Sequence, residues 1–339
     1  MILFIEFTSH CNMHCSFCPS DLLKRKKQHI DDSLLQHFLD QIHELRMTPP
    51  ILCNILGEPL LNKKIYHYLD LFEKYGHEVT LITNTIPLQD ENVRKQLLKH
   101  HNLTLALSIQ TVTKDSYKMR GCKTTTLKKM LKIPFQVIEE KFKQASSTRI
   151  EIHIASNYLL LNDPSIIIDS PLNLWGNFSN RKREEKWTGK YIKKLETFAK
   201  KIKKKYPGPF AAEQDYTQQK YKEHIGNKIA VSRQTLPPNY RDLTEETFWG
   251  YMFMPNILLR FKQFAFWNRE YTFLRSVITP DKFIYSEEKC EPQPCAMTDN
   301  LGLLANGNLV LCCLDYEGEM NLGNIKDTDI KELLQSGRL

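Results

Sequence analysis

The sequence predicts an α/β fold, a partial (βα)6 barrel of the TIM type followed by a small C-terminal α+β domain. Three observations predict it. Across the first 170 residues, short apolar runs alternate with stretches whose apolar residues recur at helical spacing, the pattern of repeated βα units around a parallel sheet. Six such repeats are present, too few to close an eight-stranded barrel. Near the C-terminus, Asn306-Gly307 stands between two apolar runs, a two-residue hairpin signal outside any βα repeat.

Ile2 to Phe7 reads as the first strand, and Asp31 or Asp32 caps a helix on which Leu34, Leu35, Phe38, Leu39, Ile42 and Leu45 share a face. Strands are predicted at 51–55, 78–83, 103–108, 149–155 and, shortest of all, Ile166 to Ile168. Helices are predicted near 64–74, over 92–99 and between Asp115 and Gln144. Composition then changes to a Lys-rich stretch with one helix from Thr188 to Lys205, stopped by Pro207. Phe248 to Phe273 is dense in aromatics, which reads as core packing, since aromatics bury large areas wherever they sit. Last come the hairpin within Leu301 to Leu314 and a short helix from Asp329 to Gln335. The boundaries this implies are a barrel at 1–175, a basic and aromatic insert at 176–285, and a terminal domain at 286–339.

The 339 residues are 41% hydrophobic, enough for one large core and an appendage. No apolar run is long enough to span a bilayer, and Glu6 interrupts the first apolar segment before it resembles a signal peptide. A cytoplasmic protein without membrane contact is therefore expected. In that setting nine cysteines read as metal or cluster ligands rather than disulfides. Cys53 and Cys122 stand apart and read as small buried residues. The net charge of +8 is matched by the run from Arg181 to Tyr206, which holds twelve Lys or Arg against three Glu. Such a run suits a solvated helix face, and nucleic acid is the alternative partner.

Thr8-Ser9-His10-Cys11-Asn12-Met13-His14-Cys15-Ser16-Phe17-Cys18-Pro19 carries C-x3-C-x2-C spacing directly after the first strand, at the C-terminal mouth of a barrel, where active sites gather. Thiolates bind iron–sulfur clusters well, and three cysteines in one tight loop can supply three ligands to a cubane. A zinc site needs four ligands, and only His10 or His14 could complete a local set.

These residues resemble the signature of radical S-adenosylmethionine (SAM) enzymes, whose fold is a partial (βα)6 barrel, and the resemblance runs through about residue 168. It implies that Cys11, Cys15 and Cys18 hold a SAM-binding [4Fe–4S] cluster and that Phe17 packs near the adenine. Leu56-Gly57-Glu58-Pro59-Leu60 is similar to the family's segment for the SAM amino group, with Leu56 replacing a first glycine and Glu58 keeping the charge that pairs with an ammonium. Thr83-Asn84-Thr85 resembles the family's turn after the third strand, without its glycine, and makes Asn84 a cofactor-binding candidate. Ser108 and Arg120 match positions that bind the ribose and carboxylate of SAM. The implied activity is reductive cleavage of SAM to a 5′-deoxyadenosyl radical that takes hydrogen from a peptide-borne or small polar, for example sugar-type, substrate, giving oxidation or rearrangement. A flavodoxin or ferredoxin is the implied reductant.

Cys295, Gly307 and Cys312 form a C-x11-G-x4-C pattern that resembles the opening of a SPASM or twitch module. The resemblance implies one auxiliary iron–sulfur cluster held by Cys290, Cys295 and Cys312. Neighbouring side chains on a strand leave opposite faces, so Cys313 is expected to be spare, either a hydrogen-atom donor or a passive thiol. An RNA-modifying radical SAM enzyme, explaining the lysines, and a non-catalytic iron–sulfur or zinc protein remain as alternatives at this point.

Overall fold

The computed structural model describes residues 1–15, 18–53, 55–118, 120–155, 178–221, 249–262, 300–311 and 313–336. In chain order its elements are β1 (Ile2–Ile5), α1 (Asp32–Glu44), β2 (Ile51–Cys53), α2 (Ile65–Lys74), β3 (Val79–Thr83), α3 (Glu91–Leu97), β4 (Leu103–Gln110), α4 (Lys114–Lys118), α5 (Leu127–Met130), α6 (Ile133–Lys143) and β5 (Arg149–Ala155). They continue as α7 (Phe178–Lys205), α8 (Pro207–Tyr221), β6 (Trp249–Met254), β7 (Ile257–Lys262), β8 (Asn300–Leu303), β9 (Asn308–Val310), β10 (Gly323–Asn324) and α9 (Ile330–Gln335).

All ten strands join one sheet in the order β10-β9-β8-β1-β2-β3-β4-β5-β7-β6. Strands β8, β1, β2, β3, β4, β5 and β7 pair in parallel in that order, and antiparallel strands flank them at both ends. The outer face, with Leu3, Ile5, Leu81, Leu105, Leu107, Ile150, Ile152 and Leu259, is fully buried with the apolar stripe of α1, Leu35, Phe38, Leu39 and Ile42, and with Leu69 and Phe72 of α2. Asp31 caps α1 by accepting from the Ser33 N–H, and Asp329 caps α9 by accepting from the N–H groups of Lys331 and Glu332.

The arrangement is the incomplete parallel barrel expected, with one addition: the parallel neighbour of β5 is β7, from the aromatic stretch. The strand expected at 166–168 lies outside the described residues. Asn256, in the left-handed region with φ of 55°, turns β6 into β7 and donates to Ser147 O and Glu213 Oε1 at 2.9 and 2.6 Å. The lysine-rich helix begins at Phe178 rather than Thr188, and Pro207 starts α8 rather than only ending α7, because proline loses nothing at a first helical position.

The hairpin at Asn306-Gly307 forms as expected, with Gly307 at φ of 90°. Its first strand pairs with β1, so the terminal segment extends the barrel sheet. Glu6, buried directly after β1, accepts from Arg25 at 2.5 Å and from the Ala305 N–H at 2.9 Å. Arg25 Nε in turn donates to Tyr316 O at 2.6 Å, and Glu317 accepts from the N–H groups of Lys24 and Arg25. No helix among the described residues is long and apolar enough to cross a membrane.

Candidate functional site

The cysteine loop leaves β1 at the C-terminal edge of the sheet and is pressed against two glycines. Gly57 has φ of 79°, and a Cβ there would stand 2.0 Å from Thr8 O. At Gly121, with φ of 54°, a Cβ would stand 2.0 Å from His14 O. Only glycine allows both the turn and the approach. The loop is further tied by the Glu58 N–H to His10 O at 2.8 Å, the Cys18 N–H to Cys15 O at 3.0 Å, and Cys15 Sγ to Arg120 O at 3.5 Å.

Burial pushes the Cys15 thiol up to about 11 and Cys18 up to about 12, and each would also be repelled as a thiolate by its neighbours, Cys15 by Cys11 and Cys18 by both. Cys11 is likewise raised by burial. This donor set suits an iron–sulfur cluster, whose cationic irons offset the cost of thiolate charge. Phe17 lies outside the described residues.

Glu58 sits on the turn after β2 and is 1% exposed. Its Oε1 accepts from Thr83 Oγ1 at 2.8 Å and the Leu60 N–H at 3.2 Å, and Oε2 accepts from the Asn84 N–H at 2.6 Å. All three donors are neutral. Burial pushes the carboxyl up to about 7, the hydrogen bonds and the more distant Arg120 charge offsetting it only in part. Asn84 also reaches the cysteine loop, donating to Asn12 Oδ1 at 2.7 Å and lying 3.7 Å from Cys11 Sγ. Thr85 follows in the left-handed region, φ of 75°, at the place where the resembling turn has glycine.

Ser108 lies two residues from the end of β4 and accepts from Gln110 Nε2 at 3.1 Å. The β4–β5 register shifts between Ser108 and Gln110, and there the buried Arg120 donates Nη1 to Ser108 O and Ile109 O at 2.9 and 3.1 Å. Its Nη2 stands 3.3 Å from Met13 Sδ, so this guanidinium braces both the strand end and the cysteine loop. Thus Cys11, Cys15, Cys18, Gly57, Glu58, Asn84, Ser108 and Arg120 converge at one edge of the sheet.

Cys313 is half-buried beside the small cluster of Phe4, Ile55, Leu304 and Val310. Cys290, Cys295 and Cys312 lie outside the described residues.

Four residues that sequence reasoning passed over lie on the inner face of β5 and β7, Arg149 at the N-terminal end of β5 and His153 and Arg260 nearer the mouth. Glu151 of β5 accepts from His153 Nε2 at 2.9 Å and forms ion pairs with Arg149 Nη2 at 3.0 Å and Arg260 Nε at 2.8 Å. Burial alone would raise this carboxyl, but His153, Arg260 and Arg149 overcome it and hold it at about 2. The signal was present in Arg149-Ile150-Glu151-Ile152-His153-Ile154, a strict alternation in a parallel strand, where both faces are ordinarily apolar.

Residues 5–164 match the model of the radical SAM superfamily, and residues 294–339 match SPASM, an iron–sulfur cluster-binding domain. Residues 5–164 thus form a radical SAM domain, of the kind found in enzymes that work with a [4Fe–4S] cluster and SAM, and residues 294–339 a SPASM domain. It is similar to the S-adenosyl-L-methionine-dependent 2-deoxy-scyllo-inosamine dehydrogenase of Niallia circulans, 31% identical over 72 residues, which are 21% of this chain and 29% of that protein. The match therefore spans less than a third of that relative. Among solved structures, Streptococcus suis SuiB bound to the precursor peptide SuiA is 15% identical with a TM-score of 0.51, covering 98% of this chain and 64% of that one. The structure of anSMEcpe with bound AdoMet and the Cp18Cys peptide is 16% identical with a TM-score of 0.52, covering 99% and 80%. At these identities the likeness is one of fold.

Proposed function

We propose that this chain cleaves SAM reductively and directs the resulting 5′-deoxyadenosyl radical at a peptide-borne or small polar substrate, giving oxidation or rearrangement. The observation that carries this reading is Glu58, a buried carboxylate bonded only to neutral donors at the edge where three cysteines gather. Its chemistry asks for a cation, and the ammonium of SAM supplies one.

In this reading Cys11, Cys15 and Cys18 hold the cluster, Glu58 and Gly57 receive the SAM amino group, and Asn84 fixes Glu58 against the cysteine loop. Ser108 takes the ribose, Arg120 faces the carboxylate and Phe17 covers the adenine. When bound, the cluster supplies the electron that splits SAM. The protein's own part is to orient the nucleotide and keep water from the reacting carbon. Cys290, Cys295 and Cys312 belong in this account to an auxiliary cluster, and Cys313 to its neighbourhood as a hydrogen-atom donor. The peptides seen with SuiB and anSMEcpe support a peptide substrate, while the dehydrogenase of Niallia circulans supports a sugar-type one.

The test is anaerobic reconstitution with iron and sulfide, reduction, and addition of SAM. The expected products are 5′-deoxyadenosine and methionine, falling to background in Cys15→Ala. A reconstituted, reduced wild-type protein that leaves SAM intact would overturn the reading.

A further inference from the structure

Helix α7 buries one face and leaves the other to form a seam with α6. Tyr191, Ile192, Leu195, Ala199 and Ile202 join the outer core, and Tyr191 donates to Leu131 O at 3.2 Å just before α6 begins. The seam holds a cavity of about 390 Å³, inside the roughly 300–1,000 Å³ range of ligand pockets. It is lined by Phe135 of α6 and by Lys193, Lys194, Thr197, Phe198 and Lys201 of α7. Its apolar part is two half-buried rings, Phe135 and Phe198, edge to face with centroids 5.1 Å apart at 79°.

The lysines of α7 are not treated alike. Lys190 lies over the Trp187 ring at 4.7 Å, Lys203 over Phe210 at 5.6 Å, and Lys205 is held by Glu139 of α6 at 2.6 Å. Lys193, Lys194 and Lys201 are exposed, and no ion pair or ring contact joins them to any of the described residues. Glu196, the acid of this stretch, is not part of the lining. Three cations thus border an apolar floor without a counter-charge in the cavity.

Spacing narrows what the cavity would take. Lys194 and Lys201 stand two helical turns apart, about 10 Å along the axis at ~1.5 Å per residue. The two ends suit separate anionic groups, and an extended peptide covers that distance in about three residues at ~3.3 Å each. Thr197 and Phe198 lie between the ends, so the order required is acid, apolar, acid. A single-stranded nucleic acid would need ring faces open to its bases, whereas Phe135 packs edge to face on both Phe198 and Tyr191.

We propose that the α6–α7 seam binds an extended acidic segment of a second polypeptide. One carboxylate would pair with Lys193 and Lys194, and a second, about three residues on, with Lys201. An apolar side chain between them rests on Phe135 and Phe198. The site lies in the helical layer outside the sheet and shares no residue with the cysteine-loop site, so it stands independently of the SAM chemistry.

The test is fluorescence anisotropy of a fluorescein-labelled peptide of repeated Glu-Phe-Ser, titrated with the whole reconstituted chain. Repeated Gln-Phe-Ser removes the charge, repeated Glu-Gly-Ser removes the apolar side chain, and oligouridylate represents nucleic acid. The Glu-Phe-Ser peptide is expected to bind saturably, more weakly as salt rises, and both altered peptides at least about tenfold less tightly. Exposed ion pairs are individually weak, so Lys201→Gln should weaken binding about two- to fivefold, and Lys193→Gln, Lys194→Gln and Lys201→Gln together at least about tenfold. Lys201→Arg, which keeps the charge, should bind as wild type does and separates loss of charge from a folding defect. Absence of saturable binding of the Glu-Phe-Ser peptide, equal binding by the triple variant, or equal affinity for the Glu-Gly-Ser peptide would overturn the proposal. So would tighter binding of oligouridylate, which would assign the seam to nucleic acid.

Discussion

Two buried carboxylates face the same barrel mouth and are handled in opposite ways. Glu58, beside the cysteine loop, is surrounded by a hydroxyl and two backbone N–H groups, and burial lifts it to about 7. Glu151, on the far wall, is equally removed from water but meets two arginines and a histidine, which hold it at about 2. Burial is common to both, so the difference lies in the partners. The protein neutralises Glu151 with its own cations and leaves Glu58 without one, as a site for an external ammonium requires.

Removing the charge of Glu151 should have the largest effect. Glu151→Gln removes the buried carboxylate charge that pairs with Arg149, His153 and Arg260 and is expected to cost about 3–5 kcal/mol of stability, read by urea denaturation of the reconstituted protein. A loss below about 1 kcal/mol would mean that the arginines do not depend on it. Glu58→Gln should instead act on ligand binding: SAM affinity should drop by roughly 1.5–3 kcal/mol, about ten- to a hundred-fold, in equilibrium dialysis. Unchanged affinity would remove Glu58 from the site.

Opposite pH dependences sharpen the contrast. Glu58 is raised from 4.5 to about 7, so in SAM-free protein its contribution to stability is complete below about 4.5 and is lost as pH rises through 7. Pairing with an ammonium needs the ionised form, so SAM affinity should fall as pH drops from 7.5 to 6, approaching roughly tenfold per unit below 7, and Glu58→Gln should flatten the profile. Glu151 is depressed, so its contribution is present above 4.5 and is lost as pH falls toward 2. The smallest effect is expected at Thr85, a β-branched residue at φ of 75° that follows the Glu58 cradle. Thr85→Gly should raise stability by about 1 kcal/mol in thermal denaturation by relieving the left-handed strain.

The cysteine-loop half of the site was legible because it is built from local segments. The spacing of Cys11, Cys15 and Cys18, the Gly57-Glu58 pair and the Asn84 turn each sit within a few residues at a strand end, where a short motif carries position as well as chemistry. The departure at Thr85 was legible too, and the structure keeps the left-handed backbone that glycine would have served. Strand β7 was hidden by a different cause. Its residues lie in an aromatic stretch more than ninety residues after β5, which by composition alone reads as core packing and not as a strand of the barrel. Arg120 was expected at a cofactor, and its guanidinium also serves the irregular end of β4 and Met13.

By itself the sequence determined the parallel βα order and the cysteine loop on the C-terminal side of β1, with Gly57-Glu58 on the turn after β2, because periodicity and motif spacing are properties of neighbouring residues. Only the tertiary structure decided that Arg260 joins Glu151 and His153 in one row, and that the terminal hairpin continues the barrel sheet beside β1. Strand register between distant segments is set by how their apolar faces share one core, and no local pattern encodes which distant arginine that packing will bring to a buried carboxylate.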